Sequence, residues 1–198
     1  MSWRLAVIVS LLLSLCGCSA WVGPAFYDRK EGVNPFSPGR YRVRSEIGDK
    51  KEMMVRWDGH HLYEDDKTSE KMDKDVRNLT AVPLAVAGRD LFIVQGRTVE
   101  RQDVALYAVL ERNGQVFRAD MPDCRTTRDI AEAAGAKVET LDAVIGRMQG
   151  RNPPIQSHSA EPTPQLCLFP DRKNLEAAMR SYINGRQLSQ ALIERVGD

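Results

Sequence analysis

Apolar residues occupy every second position along much of residues 40–123. This period of two predicts half-buried β-strands, for example around 41–47 and 53–57. The dipeptides Asp58-Gly59 and Asn113-Gly114 favour the positive φ angles of a two-residue hairpin turn. Successive hairpins predict an antiparallel β-meander over this part of the chain.

Residues 124–198 change to a helical period. Three helices are predicted: a short one that begins near Thr126 or Thr127 and ends at Gly135, one that begins at Thr140 and one that Pro170-Asp171 opens. The residues Leu188, Leu192 and Val196 predict a final helix at the C-terminus, and a Pro-rich loop is expected over 151–165. The predicted fold class is therefore α+β, an antiparallel β-meander followed by C-terminal helices packed on the sheet.

The N-terminus has a different pattern. Arg4 precedes an apolar run from Leu5 to Leu15, which is shorter than the roughly 20 residues that cross a bilayer as a helix. A positive start, a short apolar run and small residues at its end are typical of a secretory signal. Residues 1–17 are therefore predicted to be a signal peptide.

The end of this run, Leu15-Cys16-Gly17-Cys18, resembles the lipobox of bacterial lipoproteins. Cys18 fits the lipidated position better than Cys16, because a small residue precedes Cys18 and the bulky Leu15 precedes Cys16. The resemblance implies cleavage before Cys18 and three acyl chains on it, enough for durable attachment to a membrane. Ser19 at the next position implies the outer membrane, with the protein facing the periplasm.

The remaining domain organisation follows from composition. Residues 18–39 contain several Gly and Pro turn signals and are predicted to be a lipidated tether. Residues 40–198 are expected to form a single α+β domain, with strands mainly over 40–123 and helices mainly over 124–198.

The chain has four cysteines, of which Cys16 leaves with the signal and Cys18 carries lipid. Cys124 and Cys167 then remain as an even pair in an oxidising compartment, so a Cys124–Cys167 disulfide is predicted. A metal pair or a reactive thiol is the less favoured alternative, since no Cys-x-x-Cys occurs and no histidine lies close in sequence to either residue.

The charge balance and the missing motifs exclude several classes of function. The chain has 28 Lys and Arg against 27 Asp and Glu, so no bulk charge favours nucleic acid. The known nucleophile, phosphate-binding and zinc-hydrolase motifs are missing, so no cofactor, metal or catalytic residue is assigned. The pair His60-His61 and the acidic run Glu64-Asp65-Asp66 are better explained as solvated turn and loop residues.

Three functions remain open. The favoured one is a membrane-anchored, non-catalytic envelope lipoprotein that binds an unidentified envelope partner or helps to assemble a surface structure. An envelope enzyme would need Asp120, Asp123, His60 and His61 to converge. A carrier of a small apolar ligand would need a dry cavity between the sheet and the C-terminal helices. Arg40, Arg42 and Arg44 form a basic strand face that could meet anionic lipid headgroups. A face exposed to solvent is the simpler interpretation.

Overall fold

The computed structural model of the chain describes residues 19–45, 52–57, 62–64, 79–97, 104–148 and 164–197. Several of the residues that the sequence singles out lie outside the described ranges. These are the signal peptide, Cys18, His60, His61, Asp65, Asp66 and most of the Pro-rich loop.

The described residues form eleven strands in one sheet, three α-helices and a short 3-10 turn at Arg29–Glu31. The strands are β1 (Ala20–Pro24), β2 (Gly39–Ser45), β3 (Glu52–Trp57), β4 (Leu62–Glu64), β5 (Leu79–Val86), β6 (Arg89–Arg97), β7 (Val104–Asn113), β8 (Val116–Asp120), β9 (Lys137–Thr140), β10 (Gln165–Leu168) and β11 (Ala191–Gly197). The helices are α1 (Arg128–Ala133), α2 (Leu141–Met148) and α3 (Arg172–Ile183).

The sheet branches at β7. One edge of β7 pairs with β6, and the other edge pairs with β1 through residues 104–106 and with β8 through residues 109–113. One branch continues from β8 through β11, β2 and β3 to β4, and the other runs from β1 through β10 to β9. Every pair is antiparallel except β1 with β10, so the sheet is mixed.

The predicted fold class, a β-meander with C-terminal helices packed on it, is wrong. The hairpins β3–β4, β5–β6 and β7–β8 are present, but the C-terminal third also contributes β9, β10 and β11 to the sheet. The final helix predicted from Leu188, Leu192 and Val196 is instead strand β11, because residues 191–197 fill the slot between β2 and β8 and pair with both.

The prediction that residues 18–39 form a tether is also wrong for the described part, 19–39. Strand β1 lies inside the sheet between β7 and β10, and Ser19 and Trp21 are 0% exposed. Farther along, the backbone of Tyr27 exchanges two hydrogen bonds of 3.0 Å with the buried Gln95 side chain. This segment belongs to the folded body because its backbone completes the sheet and its aromatic side chains complete the core.

Side chains alternate between two faces of the sheet. On one face, α1 and α3 cover a closed core that we call the helix-covered core; its largest members are Trp21, Tyr27, Tyr107, Phe169, Leu175 and Met179. On the other face, α2 covers β1 and β10 through Leu141 and Val144. The rest of that face, over β2, β3, β6, β7, β8 and β11, is covered by residues 33–36 and is called the cavity side.

Candidate functional site

The cavity side contains an apolar cavity of about 520 Å³. Its floor consists of side chains from separate strands, among them Tyr41, Val43, Val55, Trp57, Val94 and Leu110. Strands β3 and β5 both line the cavity although they stand at opposite ends of the run β5-β6-β7-β8-β11-β2-β3. This antiparallel run of strands therefore curls around the cavity, consistent with the usual strand twist.

Residues 29–36 form the wall that closes the open side of this curl. An N-terminal capping box between Asp28 and Glu31 fixes the 3-10 turn at the start of the wall. The backbone N–H of Val33 donates to Ala81 O at 2.8 Å, which joins the wall to the edge strand β5. Its far end is held by Phe36, whose ring centroid lies 4.4 Å from that of Phe117.

The chemistry of the cavity is apolar. Among the described lining residues, all are aliphatic, aromatic, proline or glycine except Arg29, Asn34 and Thr80. The Asn34 side chain accepts a hydrogen bond from the backbone N–H of Phe36. Tyr41 donates its hydroxyl to Ser37 O at 2.6 Å, and burial raises the pKa of this phenol. The lining therefore presents hydrocarbon surface and no pair of groups suited to acid–base chemistry.

The mouth of the cavity carries exposed apolar side chains. Val33 is 44% exposed and Leu79 is 49% exposed, and both line the cavity. Trp57 is half-buried against it, and its indole N–H has no hydrogen-bond partner among the described residues. Exposed apolar residues grouped around a concave surface are characteristic of a binding site.

The predicted Cys124–Cys167 disulfide is present. Both cysteines are 0% exposed and lie in the helix-covered core, away from the cavity. The bridge joins the loop before α1 to β10, so it stabilises the closed face of the sheet.

The residues that the enzyme hypothesis required have structural contacts where they are described. Asp120 is 4% exposed, and its carboxylate accepts from the Tyr182 hydroxyl and from the backbone N–H groups of Ser189 and Gln190. Asp123 accepts from the backbone N–H of Arg125 in a local turn. These bonds give both carboxylates partners within the protein, and His60 and His61 lie outside the described residues.

The predicted basic strand face is larger than the sequence indicated. Strand register places Arg56 beside Arg40, and Arg118 in one cross-strand row with Leu192 and Arg44. Acids share this face: Glu194 lies 2.6 Å from Arg44, and Glu52 lies 3.3 Å from Arg42. Glu111 stands beside Arg118 in the register of β7 with β8 and is paired with Arg89 at 2.7 Å. Arginines therefore outnumber glutamates on this face.

The apolar cavity is the part of the site that the sequence misplaced. A carrier was expected to hold its ligand between the sheet and the C-terminal helices, but α1 and α3 pack closely there and the cavity lies on the opposite face. The alternation of Val43, Val55 and Trp57 correctly marked inward-facing positions. Nothing local to any one strand indicates that the facing side chains leave a space between them.

Among the described residues, no helix has the length and hydrophobicity that a membrane span requires. No group of three or more metal-ligating side chains is found among them. Comparison of the chain with protein-family models, with curated proteins and with solved structures finds no match.

Proposed function

We propose that this chain is a lipid-anchored, non-catalytic protein of the bacterial envelope that binds an aliphatic chain in the apolar cavity. The observation that carries the proposal is the cavity itself, about 520 Å³ of space lined by hydrocarbon and open at Val33 and Leu79. Its volume falls within the range of roughly 300–1,000 Å³ that small-molecule sites occupy.

An aliphatic chain fits this lining better than a polar ligand. Burial of each methylene contributes about 0.8 kcal/mol, whereas a buried polar group needs a partner that the floor does not offer. The single charged lining residue among those described, Arg29, lies on the exposed wall, so a polar end of the ligand can remain near solvent.

The membrane attachment is proposed from the lipobox-like sequence ending at Cys18. A protein held at a membrane by acyl chains works beside molecules that carry aliphatic chains, which gives the cavity a local supply of ligand. The attachment is tested by the intact mass of the membrane-extracted protein, compared with a Cys18→Ser variant. An unmodified mass and soluble release of both would contradict it.

Binding is tested by titration calorimetry with a long-chain fatty acid. Val94 lies on the floor of the cavity and is half-buried, so Val94→Phe places a larger side chain in the space. We expect at least a tenfold loss of affinity in this variant with an unchanged unfolding midpoint. The matched control is Val116→Phe, which makes the same change at a half-buried position of β8 outside the cavity lining.

Equal affinity in all three chains would exclude the cavity as the binding site. If no chain binds fatty acid, the proposed ligand class is wrong, and binding of an apolar segment of a protein partner becomes the better explanation.

A further inference from the structure

A polar cleft of about 580 Å³ lies between β8 and the loop that follows α3. Arg118 and Asp120 line it, and they alternate along β8 with Phe117 and Ala119, which face the apolar cavity side. The cleft therefore opens on the other face of the sheet. Arg186, from the loop, forms part of its rim.

The acidic group in the cleft is already bonded within the protein. Three donors bind the Asp120 carboxylate at 2.7–3.1 Å and hold residues 189–190 in place. Burial, and then the nearby Asp120 carboxylate, raise the pKa of Tyr182 to about 12, so its hydroxyl stays protonated as the donor to Asp120. The two guanidinium groups, Arg118 and Arg186, supply the remaining charge of the cleft.

These two arginines are held by the protein in defined places. The Arg186 guanidinium lies 4.5 Å from the centroid of the Tyr182 ring, and Arg118 donates to Leu188 O at 3.5 Å. Arg118 also belongs to the basic face described above. The cleft and that face are thus continuous, and together they form what we call the basic surface, comprising Arg40, Arg42, Arg44, Arg56, Arg118 and Arg186.

The cleft also lies next to the first residues of β1. The Tyr182 ring contacts the ring of Trp21, with 5.7 Å between their centroids. Gln190, which lines the cleft, exchanges two hydrogen bonds with the backbone of Met121, at 2.7 and 3.0 Å. The Met121 side chain packs against the apolar cluster that contains Ala20 of β1. The cleft is therefore built on the first residues of β1.

The described chain begins buried in the folded body. Ser19 is 0% exposed, and its hydroxyl accepts from the backbone N–H of Gln165 at 3.1 Å. The Cα of Cys18 is one peptide unit, about 3.8 Å, from the Cα of this buried residue. Acyl chains on Cys18 would hold the cleft at the membrane surface and not at the end of a free linker.

We propose that the basic surface, centred on the cleft with Arg118 and Arg186, binds the anionic phosphate headgroups of the membrane that holds Cys18. This inference rests on the proposed membrane attachment and adds the face of the protein that meets the lipid. Guanidinium groups match phosphate oxygens in bidentate geometry. Basic residues near an anionic leaflet add to the affinity that lipid chains provide.

The test measures vesicle binding of residues 18–198 with Cys18→Ser, so that neither acyl chains nor the apolar run from Leu5 to Leu15 masks the contribution of the surface. Vesicles of phosphatidylcholine are compared with vesicles of equimolar phosphatidylcholine and phosphatidylglycerol. Arg118→Gln/Arg186→Gln should weaken binding to the anionic vesicles about 25-fold, since each arginine contributes about a factor of five. A charge-retaining Arg118→Lys/Arg186→Lys chain keeps the attraction between charges but not the bidentate geometry, so its binding should lie between that of the wild-type and the glutamine chains. Recovery above the glutamine chain shows that loss of charge, not of folding, is measured.

The control is Lys30→Gln/Arg112→Gln, which removes the same charge from exposed residues of the 3-10 turn and the β7–β8 end of the sheet. Its binding should change less than twofold. An equal loss in both doubly substituted chains, or no preference for anionic vesicles, would overturn the inference. Calorimetric binding of inorganic phosphate that is lost in Arg118→Gln/Arg186→Gln, together with equal binding to neutral and anionic vesicles, would assign the cleft to a free anion and also overturn it.

These outcomes are separate from those of the proposed function. If acylation at Cys18 and fatty-acid binding are found while the anionic preference is absent, the proposed function stands and the basic surface is excluded. If fatty-acid binding fails while the anionic preference is found, the aliphatic ligand of the cavity is excluded and the basic surface stands.

Discussion

The helix-covered core and the cavity side use the two faces of the same strands, yet they are filled to different extents. Under α1 and α3, the indole N–H of Trp21 donates to the Thr127 hydroxyl at 2.9 Å, and Leu175 is 0% exposed. On the cavity side, Trp57 is half-buried and its indole N–H finds no partner among the described residues.

The difference follows from what covers each face. A helix of the length of α3 presents a continuous apolar stripe, which here comprises Leu175, Ala178, Met179, Tyr182 and Ile183. The wall at 29–36 has no regular stripe and contacts the sheet mainly through Val33 and Phe36. One face of the sheet therefore provides stability, and the other leaves space for a ligand.

The largest expected effect is on the closed face. Replacing both Cys124 and Cys167 with alanine removes a crosslink that spans 43 residues of sequence. In the chain-entropy model this lowers the free energy of unfolding by about 4 kcal/mol. Urea denaturation of the oxidised and alanine chains measures the change, and coincident unfolding curves would show that the bridge contributes nothing.

A matched pair of truncations compares the two faces directly. Leu175→Ala opens a space in the helix-covered core and should lower the free energy of unfolding by about 3 kcal/mol. Leu79→Ala at the mouth of the cavity, where the side chain is 49% exposed, should cost less than about 0.5 kcal/mol. Similar costs at both positions would show that the cavity side is packed as closely as the core.

A smaller effect appears at high pH. Burial raises the pKa of Tyr107 and of Tyr182 to about 12, above the value of about 10 in an unfolded chain. The folded state holds these protons more tightly, so their contribution is complete below about pH 10 and is lost as the pH rises to about 12. Each tyrosine then contributes roughly 2 kcal/mol of pH-dependent stability.

The measurement is the free energy of unfolding between about pH 9 and 12, with Tyr182→Phe as the comparison. The wild-type chain should lose stability across this range, and the variant should lose it less steeply. Parallel curves would mean that Tyr182 titrates normally in the folded protein.

Local patterns predicted the elements whose partners are near in sequence. The β7–β8 turn forms at Gly114, whose φ is +64°, and α3 is capped by Asp171, whose carboxylate accepts from the backbone N–H of Asn174 at 2.8 Å. The Cys124–Cys167 pairing followed from counting cysteines. The turn and the helix start depend on a few neighbouring residues. The disulfide depends on the even number of cysteines that remain after Cys16 and Cys18.

Elements that depend on distant partners were missed. Strand β1 has five residues with Gly and Pro among them, and it is specified by its parallel pairing with β10, nearly 150 residues away. In β11, a spacing of four between apolar residues fitted a helix, but pairing with β2 and β8 outweighed that local preference. The cavity was misplaced for the same reason, because its floor combines residues from several strands that only the curled sheet brings together.

Two tryptophans allow one measurement to compare the two faces. In a Trp3→Phe background the remaining indoles are Trp21, in the helix-covered core, and Trp57, in the cavity. A fatty acid brominated on its chain quenches indole fluorescence only at contact distance. We predict saturable quenching of this chain and no quenching once Trp57 is also replaced with phenylalanine, which leaves Trp21 as the reporter. No quenching of the first chain, or equal quenching of both, would contradict the claim that the cavity binds an aliphatic chain.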